Sequence, residues 1–550
     1  MHVPADDWAC FKGTPERTNS SDTPAPDSPY LLWKIDTGSA LYASPVVKNG
    51  RVFQVGMEEI LCIDLDTGKV LWTSPVPAYH STPAVSDDKA IVATNRGISA
   101  LSAEDGRLLW EYIVSERFSK RFSLNDYIVS SPVIVNGNVV VGTRPYGVPI
   151  AEGTHTWRQD QFFLVCLDEN TGKEEWYVGT NLGVLTSPCV TLGKVFAASR
   201  EMLAIDFEKG NILWKSEDKY PFDPFNPEKT QRERYAFCYS TPALYHGLLV
   251  AGSSLVGWQK IVVMDQYTGD ILWEWVEEGA LTSSPALSEG RIYFYSYDGR
   301  VQCLSLLDGE ELWKTPISQP EQFEIIGMRL WPSPAVADGK VYIGSIEGVF
   351  YCLNAATGEV LWEYTVSDPI HSSPAITSEG VLISSTGGLY CFGIDPETYR
   401  MKAEKYLENS VYDRAEEFLE KAKDYAKTNE DTEEIDKLLD LVNSNKEEYQ
   451  KTLDRLSEAE AIMDEADTIL WNNQFEKAQH LYSKASTIYE ELNDEFRSSF
   501  CKNRVDYIQG RIIKQEERKI HQLQILFFLI CILIAVFIIV RLKRFLDQRT

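Results

Sequence analysis

Along the first four hundred residues apolar and polar positions alternate in short runs closed by turn residues, the period-two pattern of half-buried strands. Residues 341–362, VYIGSIEGVFYCLNAATGEVLW, show the unit: two alternating runs, a glycine, and a tryptophan four positions later. The same phrase recurs as CIDLDTGKVLW (62–72), ALSAEDGRLLW (100–110), CLDENTGKEEW (166–176), AIDFEKGNILW (204–214), VMDQYTGDILW (263–273) and CLSLLDGEELW (303–313). In all seven copies the turn glycine (Gly68, Gly106, Gly172, Gly210, Gly269, Gly309, Gly358) precedes a strand that ends in tryptophan. A positive φ at the turn explains the glycine.

A second anchor, Ser or Thr followed by Pro, opens each unit: Ser44, Thr82, Ser131, Ser187, Thr241, Ser284, Ser333 and Ser373. Eight starts meet only seven endings, because the last unit breaks off at Asp395-Pro396. The strand it needs stands at the other end of the chain, where LLWKI (31–35) carries Trp33 with no repeat of its own in front. Four short strands per unit, anchors 38 to 56 residues apart and one unit split between the termini predict an eight-bladed β-propeller over residues 30–394, with residues 1–29 as a lead-in. Ring closure removes the free sheet edges that an open array would leave. Trp33, Trp72, Trp110, Trp176, Trp214, Trp273, Trp313 and Trp362 are expected to pack between blades as structural residues.

After Pro396 the period changes to that of helices, in a segment rich in Ala, Glu, Lys, Leu and Tyr over 396–520. Asn473-Gln474-Phe475 before Ala478 echoes Ser410-Val411-Tyr412 before Ala415. Two such loose copies resemble tetratricopeptide-type (TPR-like) helical hairpins, with an amphipathic stalk as the alternative. The run LQILFFLICILIAVFIIV, Leu523–Val540, holds no charge and is long enough to span a bilayer, and a basic tail (541–550) follows. The expected fold is therefore an all-β propeller, an α-helical region and one C-terminal transmembrane helix. Positive residues flank the apolar run on both sides, Arg511, Lys514, Arg518 and Lys519 in front and the tail behind, so charge does not orient it. No apolar leader precedes Trp8, which read literally leaves the propeller in the cytoplasm. The start PADDW resembles a mature end after a removed signal, which points to the extracytoplasmic side.

Composition narrows the function classes. A formal net charge of -28 excludes a phosphate-neutralising nucleic-acid binder, and 44% hydrophobic residues in 550 suffice for more than one packed domain. The ten cysteines include no Cys-x-x-Cys and no Cys-Cys pair, so zinc-ribbon and dithiol redox chemistry lack a signal. Cys62, Cys166, Cys303, Cys352 and Cys391 share one slot of the repeat strand, the place of a small buried hydrophobe.

The S/T-P and G-x-x-x-W repeat resembles the pyrroloquinoline quinone (PQQ) repeat of the quinoprotein dehydrogenases and of the BamB lipoproteins. Trp8, Phe11, Gly13, Arg17 and Thr18 match that family's W-x-x-F-x-G-x-x-x-R-T lead-in. The dehydrogenase branch of the resemblance implies PQQ, a Ca²⁺ ion, an Asp base and an adjacent-cysteine disulfide. No Cys-Cys is present, and neither metal ligands nor base transfer onto a matched motif, so no catalytic, cofactor-binding or metal residue is assigned and no cofactor is expected. The BamB branch implies a non-catalytic scaffold for a protein partner, and the apolar run implies a membrane contact through the C-terminal helix. A PQQ-dependent dehydrogenase and a ligand sensor signalling through the helices are the alternatives. The position two before each anchor places Trp331, His371, Tyr42 and His80 on contiguous blades, a candidate recognition arc at one channel mouth. Long inserts at 116–127, 144–161 and 217–237 form a second candidate surface.

Overall fold

The computed structural model describes residues 7–513, apart from 38–40, 77–80, 115–126, 146–162, 181–185, 192, 199–200, 217–239, 256–257, 280, 282, 297, 319–331, 367, 409–410, 427, 472–473 and 496. Eight antiparallel sheets follow one another along the chain. The first blade is typical, with strands Val46–Lys48, Arg51–Val55, Glu59–Asp64 and Val70–Pro75 adjacent in that order. Its middle strands are buried on both faces, while Val70 and Leu71 of the outer strand are exposed. The valine, isoleucine and phenylalanine of these runs suit a pleated surface covered by neighbouring blades.

The eighth blade is built from both ends of the propeller sequence. Ala375–Thr377, Gly380–Ser385 and Gly388–Gly393 supply three strands, and Tyr30–Ile35 pairs antiparallel with the last of them, Trp33 opposite Cys391. The same Cys–Trp cross-strand pairing holds for Cys62 and Trp72, Cys166 and Trp176, Cys303 and Trp313, and Cys352 and Trp362. All five thiols are buried and free.

Each of seven tryptophans sits on the turn glycine of the next blade. A Cβ placed on Gly68 would lie 2.8 Å from the Trp33 ring, and the residue holds φ 68°, so both space and backbone demand glycine there. The indole N–H then donates to the carbonyl three residues before that glycine. Trp33 bonds Leu65 O at 2.7 Å, Trp110 bonds Glu169 O at 2.8 Å and Trp313 bonds Ala355 O at 3.0 Å, and Trp72, Trp176, Trp214 and Trp273 follow the same rule. Sequence spacing thus becomes an interblade contact: the turn of one blade is the seat of its neighbour's indole.

Beyond the propeller, Asp395 caps the turn Pro396–Thr398 by accepting from Glu397 N–H, with proline at the start of the turn. Helices α1 (Tyr399–Glu408), α2 (Tyr412–Asp424), α3 (Asn429–Trp471) and α4 (Phe475–Glu491) follow, and residues 497–513 are helical apart from their flanking positions. Neither glycine nor proline occurs between residues 397 and 509, which lets α3 run for 43 residues without a break. That length does not support the hairpin-repeat expectation, since the stretch joining the two loose copies is one continuous helix. The described chain forms two compact units, one running to Ala403 and taking in Phe418–Asn429, the other made of Glu404–Glu417 and the chain from Glu430 onward.

In the second unit arginines at seven-residue steps lie over aromatic rings at seven-residue steps. Arg497 is 5.7 Å from the Tyr489 ring, Arg504 6.0 Å from Tyr482 and Arg511 5.9 Å from Phe475, an antiparallel cation–π ladder. Asp467 accepts from the Tyr482 hydroxyl beside it. Among the described residues no helix is long and apolar enough to cross a membrane. The segment Leu523–Val540 lies outside them, as does the basic tail.

Candidate functional site

The Ser/Thr-Pro anchors meet at the propeller axis. At seven of the eight anchors the backbone N–H donates to the hydroxyl of the next blade's anchor: Ser44 to Thr82 at 3.1 Å, Thr82 to Ser131 at 3.1 Å, Ser187 to Thr241 at 3.1 Å and Thr241 to Ser284 at 2.9 Å. Ser284 to Ser333 at 3.0 Å, Ser333 to Ser373 at 3.0 Å and Ser373 to Ser44 at 2.9 Å carry the circuit past the join between the first and last blades. A short hydroxyl side chain can accept at that distance from its own backbone, and Ser or Thr supplies one in all eight units.

On one side of this hydroxyl ring the lead-in fills the axis. Its carbonyls accept from the inner strands in blade order: Trp8 from Val47, Ala9 from Val85, Pro15 from Val190, Glu16 from Leu244, Thr18 from Leu287 and Asn19 from Val336. The strand Ser20–Ser21 then pairs parallel with Ala335–Ala337 of blade seven. Arg17, wholly buried, donates to Pro188 O at 3.0 Å, to Pro132 O at 3.1 Å and to Phe11 O. Lys12 donates to Pro285 O at 2.5 Å, and the Asn19 amide to Pro334 O. Two cations and an amide therefore read proline carbonyls of four blades. Burial pushes the Lys12 ammonium well below its ordinary range, with Arg17 beside it adding to the effect.

On the other side of the ring stand the residues two positions before the anchors. Tyr42 and His371 are brought together, their ring centroids 5.3 Å apart and their planes at 37°. His371 is buried and Tyr42 half-buried, next to the fully buried Leu41 and Ile370. Trp331 and His80 lie outside the described residues, and so do the three long inserts apart from their strand-bound ends.

Among the described residues no three His, Cys, Asp or Glu side chains converge as a metal site, and the axis on the lead-in side is filled by Lys12, Arg17 and Asn19. The thiols are held in protonated form by burial, Cys62 up to about 11 and Cys166, Cys303 and Cys352 up to about 12, so they behave as packing groups.

Sequence reasoning missed Lys12 and Asn19, which sit within the matched lead-in motif but outside its defining positions. It also missed a group of charges, Asp27, Asp338, Lys340 and Lys402, drawn from segments far apart in the chain, of which the two lysines are buried.

Comparison with known proteins agrees with this architecture. The chain is similar to the outer membrane protein assembly factor BamB of Yersinia pestis, 22% identical over 312 residues, covering 52% of this chain and 70% of that protein. Similar figures, 23% over 307 residues, hold for the BamB of Moranella endobia. Among solved structures, the quinohemoprotein alcohol dehydrogenase from Comamonas testosteroni superposes with a TM-score of 0.57 at 13% identity, over 71% of this chain and 81% of that one. A europium-containing methanol dehydrogenase gives 0.55 at 15% identity, over 70% and 91%. At such identities these two share the fold alone. The family model described as outer membrane protein assembly factor BamB matches residues 25–161, 145–230, 240–326 and 326–401, more than half of the chain. This eight-bladed propeller, built on PQQ-type repeats, therefore belongs to the BamB family.

Proposed function

We propose that the chain is a non-catalytic, membrane-associated scaffold for protein–protein interaction, making its contacts at the channel mouth that carries Tyr42 and His371 and on the blade perimeter. The occupied axis carries this reading. The chain closes one mouth with its own lead-in, and Lys12, Arg17 and the Asn19 amide N–H there are spent on backbone carbonyls. Membership of a family described by an assembly role supports the same conclusion. The apolar run Leu523–Val540 supports a membrane tether, and the helices before it serve as a spacer or a second docking surface.

The direct test is calorimetric titration of the protein with PQQ and Ca²⁺, followed by dye-linked alcohol oxidation. No binding heat and no turnover are expected; stoichiometric binding with turnover overturns the scaffold reading. For the mouth itself, Tyr42→Ala should weaken cross-linking to envelope proteins while leaving the melting temperature unchanged. Undiminished cross-linking would remove this mouth from the contact surface.

A further inference from the structure

Seven interblade junctions carry the indole-on-glycine contact, and the junction from blade seven to blade eight lacks it. Blade eight has no turn to offer, because its third strand ends at Gly393 and its outer strand arrives from the N-terminus. Trp362, whose neighbours Trp33 to Trp313 each find a carbonyl, packs its ring against Phe350 and Phe392 while its indole N–H is buried with no acceptor.

Beyond that ring packing and the Ser333–Ser373 bond, an ion group spans the junction. Asp27 lies three residues before the strand Tyr30–Ile35, Lys402 stands in α1 beyond the exit of the last strand, and Asp338 and Lys340 flank the first turn of blade seven. Lys340 Nζ is 2.8 Å from Asp27 Oδ1 and 2.8 Å from Asp338 Oδ2. Lys402 Nζ is 2.7 Å from Asp27 Oδ2 and 2.9 Å from Asp338 Oδ2. Each ammonium touches both carboxylates, the charges cancel, and both lysines are buried. Lys402 also donates to Ala25 O at 2.6 Å, and the Tyr342 hydroxyl donates to Pro26 O at 2.8 Å. The two buried ammoniums are held in place under this condition, each paired with both of the more exposed carboxylates.

We propose that this square of charges is the lock of the ring: it replaces the absent eighth docking contact by binding both free ends of blade eight to blade seven. Closure of the propeller then depends on Lys402, a residue beyond the last repeat. The propeller unit accordingly extends past Ile394, as its compact boundary at Ala403 does.

Hydrogen exchange on the full chain tests this. In Lys402→Met, amides of Tyr30–Ile35 and Gly388–Gly393 should exchange at least about tenfold faster, while those of Lys194–Ala198, across the ring, keep their protection. Lys402→Arg, which keeps the charge, should restore most of the protection. The effect of Asp27→Asn should shrink in the Lys402→Met background, since both remove the same lock. Unchanged exchange at Tyr30–Ile35, equal loosening of all blades, or strictly additive effects of the two substitutions would each overturn the proposal.

Discussion

Two glycines of blade one allow the docking contact to be measured apart from backbone strain. Gly50 and Gly68 both hold φ 68°, so alanine at either position incurs the same left-handed cost, about 1–2 kcal/mol. A Cβ on Gly50 meets nothing within 4 Å, whereas one on Gly68 stands 2.8 Å from Trp33 Cδ2 and 2.9 Å from its Cγ. The indole must then move, which costs about 1–3 kcal/mol of overpacking. Moving it also stretches the 2.7 Å bond to Leu65 O, a further loss of about 1 kcal/mol. Gly68→Ala should therefore destabilise by about 3–6 kcal/mol and Gly50→Ala by about 1–2 kcal/mol. Urea unfolding followed by tryptophan emission reads the difference directly, because the docked indoles are the reporters. Equal midpoint shifts for the two variants would refute the argument, as would a gap that survives in a Trp33→Ala background, where the two replacements should converge.

Further expectations rest on the same contacts. Trp110→Phe loses the bond to Glu169 O and should cost about 1 kcal/mol more than Trp362→Phe, whose indole N–H has no acceptor to lose; thermal unfolding of both variants decides it. Although burial alone would raise the Asp338 carboxyl, Lys340 and Lys402 outweigh it and hold the group at about 2 against an ordinary 3.8. Its folded value is the lower one, so its stabilisation is complete above about pH 4 and drains away toward pH 2. That contribution is about 2 kcal/mol, and Asp338→Asn should flatten acid unfolding in this window. Cys62, Cys166, Cys303 and Cys352 should resist alkylation in the native protein and react only on unfolding; labelling in native buffer read by mass spectrometry would contradict their burial.

The repeat was legible because each of its residues answers a local demand that recurs. Glycine answers the turn and its indole, Ser or Thr answers the neighbouring N–H, and the unpaired Trp33 announced the split blade. Helix content after Pro396 was equally plain from the helical spacing of a segment rich in Ala, Glu, Lys, Leu and Tyr. The hairpin-repeat reading went further than its residues allowed, since alanines and aromatics at helical spacing serve any packed helix pair and do not interrupt α3. The lead-in was recognised as a motif but not as the filling of the axis, because the blade acceptors of Arg17, Pro132 and Pro188, lie 115 and 171 residues away. Nothing local marked Asp27 and Lys402, 375 positions apart, as partners. The adjacency of Tyr42 and His371 followed from counting back from two anchors. The burial of His371 did not, because it depends on side chains from both blades.

The split blade also sets a timetable for biosynthesis. Tyr30–Ile35 leaves the ribosome early, yet its partner strand ends at Gly393. At about 5–20 residues per second the waiting time is roughly 20–70 s, far longer than local hairpins take to form. During that interval seven blades can assemble in order along the chain, while the first strand stays a free edge open to pairing with any extended segment nearby. A protein that closes its ring with Tyr30–Ile35 must therefore keep that strand solitary until Gly388–Gly393 has been made.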